Sequence, residues 1–275
     1  MQYRDKTEVA PVAETAVKEE GRYLYCIADA GERVSLGGEI GIEGNEVYTI
    51  PYKDICAVVH NCPAQPYQSE DQEVVQAWVM AHQKVVDAAW EKWGTVLPLS
   101  FDTIIKGESG GDSERDVQDW LKQEYEELKS KMVKVKGKAE YGVQVFWNPK
   151  IIAQNLTESS PEIRELDGQI RTKPAGLAYM YRQKLENLLK QEMEAKADER
   201  FKDFYSRIRE HANDIRVEKT KKAEQDLQMI MNLSCLVHRG KYTELGEELD
   251  KINQTEGFSV RFTGPWPPYS FVGGA

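Results

Sequence analysis

The sequence predicts an α+β fold in two domains, a sheet domain followed by one built around a long helix. Three observations carry this reading. Short aromatic and β-branched strands interleave with two helical stripes up to about residue 148. A polar, proline-containing connector occupies 149–174. Beyond it, no glycine or proline interrupts residues 177–239. A chain of 275 residues is long enough for two modest cores.

The elements follow in order. Residues 1–20 are charged, lack apolar periodicity and read as a mobile arm. The first domain is set at 21–148. It opens with the strand RYLYCIA (22–28), passes a Gly-rich connection, and continues with EVYTI (46–50) and DICAVVH (54–60). Ser69 and Gln72 stand at capping-box spacing before a helix whose apolar stripe runs Val75, Trp78, Val79, His82, Val85, Val86, Ala89 and Trp93. Gly94 is placed to end it in a left-handed conformation. TVLPLSFDTII (95–105) reads as a buried strand, 107–116 as a loop, 114–132 as a second helix capped by Ser113, and KAEYGVQVFW (138–147) as a further strand of the same domain, with the helices on one face of the sheet.

The second domain is set at 175–275. Pro174 suits a first helical position, and an amphipathic helix is expected over about 175–218, far longer than the average of about 11–12 residues. A strand at 226–240, a short helix at 241–254 and a strand at 257–266 follow. Helices between strands suit a ferredoxin-like topology; strand order is left open.

The net charge of −10 disfavours nucleic-acid phosphate or anionic lipid as the main partner. The run KSKMVKVKGK (129–138) is the one feature on the other side, and it reads as a solvated helix end. No apolar run approaches the roughly 20 residues that span a bilayer, and no signal-peptide core is present, so an intracellular, cytoplasmic protein is expected. Cys26, Cys56, Cys62 and Cys235 form no C-x-x-C pair and read as reduced packing residues.

Catalytic chemistry is thin. The four histidines, His60, His82, His211 and His238, offer no i,i+3 or i,i+4 metal pair. His82 is either a general base or, more simply, a satisfied histidine on the apolar stripe. Glu124, Glu126, Glu127, Glu186 and Asp102 sit in charge-rich runs rather than as a converging pair. No P-loop, G-x-S-x-G, H-E-x-x-H or G-x-G-x-x-G motif occurs. No catalytic residue, cofactor or metal is therefore expected.

Six stretches in order carry a resemblance: YLYCI (23–27), YKDICAVV (52–59), HQKVVDAAWEKWGTVLPLSFDTI (82–104), GKAEYGVQVFW (137–147), AGLAYMYRQKLE (175–186) and GFSVRFTGPWPPYSFV (257–272). Together they resemble the gas vesicle protein F/L family over about 22–272; Cys26 stands where the family commonly has glycine. The resemblance implies an α+β N-terminal domain, a modified ferredoxin-like C-terminal domain and no catalytic residues. It also implies an accessory role in gas vesicle formation, with the small hydrophobic shell protein and other accessory proteins as partners, without nucleic acid or membrane. Localisation would be the gas vesicle and the cytoplasm.

Shell subunits must expose apolar surface before assembly and need a soluble partner to cover it. The candidate docking residues are Leu185, Leu189, Met193 and Phe201 on the long helix, with Trp90, which lies off its own helix's stripe. The plain alternative is that the helix seam is buried within the chain. The closing segment GPWPPYSFV is either a polyproline ligand or a lid on its own domain, with Trp266, Tyr269 and Phe271 as the lid residues. Full burial of one Trp removes about 150–250 Å² from water, worth up to about 4–6 kcal/mol, which favours the lid. The alternative functions are a small-metabolite enzyme working in an interdomain cleft and a nucleic-acid-binding ferredoxin-like module.

Overall fold

The structure, a computed structural model, describes residues 20–107, 112–222 and 226–273. The expected N-terminal arm, Glu20 apart, and residues 108–111 of the expected loop lie outside the described residues.

Six strands form the first sheet: β1 (Glu20–Ala28), β2 (Ser35–Gly37), β3 (Val47–Tyr52), β4 (Ile55–Pro63), β5 (Val96–Pro98) and β6 (Ile104–Lys106). Their order is β2-β3-β4-β1-β5, with β6 also on β1, and every pair is antiparallel. Three helices cover it, α1 (Gln72–Trp93), α2 (Ser113–Gln123) and α3 (Tyr125–Val135). They lie on both faces, not one as expected. Leu24, Ile50, Ile55, Ala57 and Val59 meet α2 and α3 on one face, and Tyr23, Tyr25, Cys56 and Val58 meet α1 on the other. The reason is visible in β1 and β4: both are near-continuous apolar runs, and only a sheet covered twice can bury such strands.

Local signals hold with small shifts. Asp71, not Ser69, caps α1, its Oδ1 accepting from the Glu73 N–H at 2.9 Å. Gly94 ends the helix at φ 73°, which a Cβ would disfavour. Asp112 rather than Ser113 caps α2, and the expected second helix breaks at Glu124 into two. The four cysteines are buried and free.

The second sheet holds β7 (Lys138–Trp147), β8 (Asp214–Val217), β9 (Gln228–His238) and β10 (Phe258–Trp266). Strand β7, expected in the first domain, hydrogen-bonds to β9 and β10 instead. Residue 148 is thus no boundary between sheets. The order β10-β7-β9-β8, antiparallel throughout, is fourth-first-third-second along the chain, with helices after the first and third strands. That is the ferredoxin-like arrangement. Its first crossover is enlarged: the expected connector is two helices, α4 (Pro149–Ser159) and α5 (Pro161–Thr172), which fold back on α6 (Ala175–Glu210). At 36 residues, α6 is about 54 Å long. It stops at Glu210, short of 218, because β8 begins at Asp214. The helix α7 (Tyr242–Asn253) returns to β10, and Arg207 of α6 donates to Glu248 of α7 at 2.5 Å. Phe204 and Ile208 of α6 are buried against β7, β9 and α7.

The chain ends by crossing back. After β10, a short helix α8 (Tyr269–Val272) puts Phe271 and Val272 into the core of the first sheet beside Leu24, Leu97, Leu121 and Leu236. Ser270 donates its N–H and its Oγ–H to Glu140 of β7, at 2.7 and 2.5 Å. The lid residues therefore divide. Phe271 is 3% exposed, Tyr269 half-buried, and Trp266 remains 43% exposed. Trp266 falls on an edge strand before the chain turns inward at Pro268, so no element covers it.

The α1 face of the first sheet buries a polar network. The Tyr23 hydroxyl is 2.8 Å from His82 Nδ1, and the Tyr25 hydroxyl is 2.7 Å from His60 Nδ1. His60 Nε2 meets the Tyr67 hydroxyl at 2.9 Å, and the Asp102 N–H donates to Tyr23 Oη at 3.0 Å. The Asp102 carboxylate accepts from the Tyr67 N–H at 3.0 Å. Desolvation holds both imidazoles down at about 4. Such an imidazole stays neutral at physiological pH, and His82 is 4% exposed with its Nδ1 against the Tyr23 hydroxyl.

Two predictions follow from this packing. Phe271→Ala should cost about 3–5 kcal/mol in urea unfolding, and Trp266→Ala less than half as much. A tail loosely laid on the surface would make the two alike. Unfolded imidazoles take up protons below 6.5 whereas the folded pair does so only near about 4. Stability should therefore be complete above about pH 6.5 and fall as pH drops towards about 4, with a slope approaching two protons. Unfolding free energies that stay flat across that window would contradict it.

Candidate interaction surface

The exposed large apolar side chains of this acidic protein are spread over several elements, and some of them meet at shared surfaces. One is an open groove of about 690 Å³ between α1 and the β10–α8 segment. Val79, Met80, Gln83, Lys84 and Asp87 of α1 form one wall, and Glu140, Trp266 and Tyr269 form the other. Positions 80, 83, 84 and 87 recur at i, i+3, i+4 and i+7, so one stripe of α1 faces the groove while His82, Val85, Val86 and Ala89 face the sheet. Val79, expected at the centre of the buried stripe, is 43% exposed, and Met80 is 64% exposed.

The groove's polar groups are unevenly satisfied. Glu140 is spent on Ser270. Asp87 has no hydrogen-bond or ion-pair partner among the described residues. Burial first, and the Glu91 carboxylate one turn away second, push its carboxyl above the usual range. The Tyr269 hydroxyl is buried without a partner among the described residues, and desolvation pushes it up as well, with Asp87 adding to the effect.

The residues named from sequence lie elsewhere. Leu185, Leu189 and Met193 are half-buried on α6, a helix that α4 and α5 contact. Phe201 is half-buried at the edge of the second core and stacks on Tyr205 at 6.0 Å. Trp90 packs between the cores of the two sheets, with the Arg239 guanidinium 4.1 Å from its ring centre. The structure gives Phe201 and Trp90 neighbours within the chain and leaves Leu185, Leu189 and Met193 half-buried. The apolar side chains left open on α6 are Leu177, Tyr179 and Met180, near its start. The groove itself escaped the sequence reading because its walls are about 180 residues apart, although the 80/83/84/87 spacing was there to see.

The acids singled out in the sequence take separate places. Glu127 is bridged to Lys131, Glu186 is exposed, and Asp102 holds the Tyr67 loop. Among the described residues, no group of three His, Cys, Asp or Glu could hold a metal ion, and no helix is long and apolar enough to cross a membrane. The basic run 129–138 is partly neutralised within the chain: Lys129 pairs with Asp29 and Asp54, Lys134 with Asp214, and Lys136 with Asp29.

Comparison with known proteins gives the family. A profile described as gas vesicle synthesis protein GvpL/GvpF matches residues 21–273. Gas vesicle protein L1 of Halobacterium salinarum is 32% identical over 260 residues, covering 92% of this chain and 90% of its own length. Gas vesicle protein L of Haloferax mediterranei is 27% identical over 290 residues, covering 92% and 88%. The crystal structure of the gas vesicle protein GvpF from Anabaena sp. PCC7120 matches with a TM-score of 0.74 at 19% identity, over 93% of this chain and 99% of that one, a likeness of fold. The chain belongs to the gas vesicle GvpL/GvpF family.

Proposed function

We propose that this protein is a non-enzymatic accessory factor of gas vesicle formation. It binds the small hydrophobic shell protein, together with other accessory proteins, and acts during nucleation in the cytoplasm and at the vesicle. The observation that carries this reading is the open apolar groove between α1 and the C-terminal segment, on a member of this family. A soluble surface of Val79, Met80 and Trp266 can cover apolar shell surface that would otherwise aggregate. The half-buried α6 seam is the secondary candidate, since Leu185, Leu189 and Met193 retain partial exposure.

The test is affinity capture of the shell protein from vesicle-producing cells. Wild type should retain it, and Val79→Asp plus Met80→Asp should lose most of it. Leu189→Asp plus Phe201→Asp should weaken folding before it weakens capture. Equal capture by wild type and the α1 double variant would remove the groove from the reading. Turnover of a metabolite by the pure protein would remove the non-enzymatic assignment.

A further inference from the structure

The groove has a chemical signature beyond its greasiness. Asp87 sits half-buried on its α1 wall with no counter-charge among the described residues, and Lys84, one turn back on the same helix, forms no ion pair with it. Across from it, the buried Tyr269 hydroxyl lacks a partner among the described residues. Trp266, the other aromatic wall, is open to solvent over nearly half its surface. A carboxylate in apolar surroundings is costly unless a cation meets it. A donor-bearing cation would meet the Asp87 carboxylate and lie against the open Trp266 indole face at once. A purely apolar ligand would bury Asp87 unpaired, and an anionic one would repel it. A second copy of this chain, at −10, brings mainly like charge.

We propose that the groove seats a single Lys or Arg side chain of a partner polypeptide, its charged head on Asp87 and its apolar neighbours on Met80 and Trp266. This rests on the functional reading above, and the partner taken is the shell subunit. Asp87 is then a specificity residue, held in the free protein without compensation and paired only in the complex.

The experiment is co-expression of the full chain with the shell subunit, followed by affinity capture in low and high salt. Wild type should capture the shell subunit, less so as salt rises. Asp87→Lys should reduce capture by at least about tenfold, and Asp87→Asn by less. Each basic residue of the shell subunit is replaced in turn by Glu; one replacement should lose wild type and recover with Asp87→Lys. Asp87→Asn should melt no lower than wild type, because it gives up no partner in the free fold. That readout separates recognition from structure and covers the case in which Asp87→Lys folds poorly. Capture by wild type and Asp87→Asn alike, with no shell-side replacement rescued, overturns the inference and leaves the functional reading standing. No capture by wild type at any salt concentration overturns both. Self-association of wild type through this face, abolished by Asp87→Lys, overturns the assignment to a different polypeptide.

Discussion

The link between Ser270 and Glu140 is the contact on which the arrangement of this molecule turns. Glu140 belongs to a central strand of the second sheet and is 8% exposed. A carboxylate so buried needs donors, and the backbone and hydroxyl of Ser270 supply two. Meeting that need fixes the register of the closing helix. Once Ser270 is held, the next two residues point into the first sheet's core, where Phe271 and Val272 complete a cluster that also includes Leu236 of the second sheet. One hydrogen-bonded carboxylate thus ties two sheets through four residues of chain. The Lys134–Asp214 ion pair at 2.7 Å, the same α3 lysine lying over the Phe271 ring, and the Trp90–Arg239 stack add to the seam.

The same contact creates the groove. With the tail drawn inward from Pro268, Trp266 is left standing on an edge strand opposite the outer stripe of α1. Edge strands usually carry devices against unwanted pairing. Here Pro265 and the turn at Gly264, whose φ of 115° admits no ordinary side chain, break the edge close to the exposed indole. Backbone pairing is discouraged and side-chain contact is left open, which suits a surface read through its apolar and charged groups.

Much of the local structure was legible in the sequence because it is written in short-range chemistry. The strand 138–147 and the helix after Pro174 are set by alternation, periodicity and proline. Pairing was not legible. The strand 138–147 follows α3 directly, yet its neighbours are strands near residues 230 and 260. Nothing in its own side chains names them. The segment read as a polar connector with room for one helical turn proved to be two helices: Pro149 and Pro161 occupy first helical turns, with Asn148 and Ser160 capping them. The candidate site suffered most. Apolar side chains on α6 draw attention by their period, yet Leu185, Leu189 and Met193 are half-buried on a helix that α4 and α5 contact. Nothing in the sequence sets Asp87 and Met80 apart, because the Trp266 wall opposite them is about 180 residues away.

The long helix carries a mechanical consequence. Its last turns are anchored by Phe204 and Ile208, α4 and α5 pack on the helix as well, and its start carries the uncovered side chains of Leu177, Tyr179 and Met180. A rod clamped at one end transmits displacement at its tip to its root. The three-helix projection can also fray or exchange its amide protons without opening either sheet. The Arg207–Glu248 pair, where α6 meets α7, marks the point at which that projection joins the packed body.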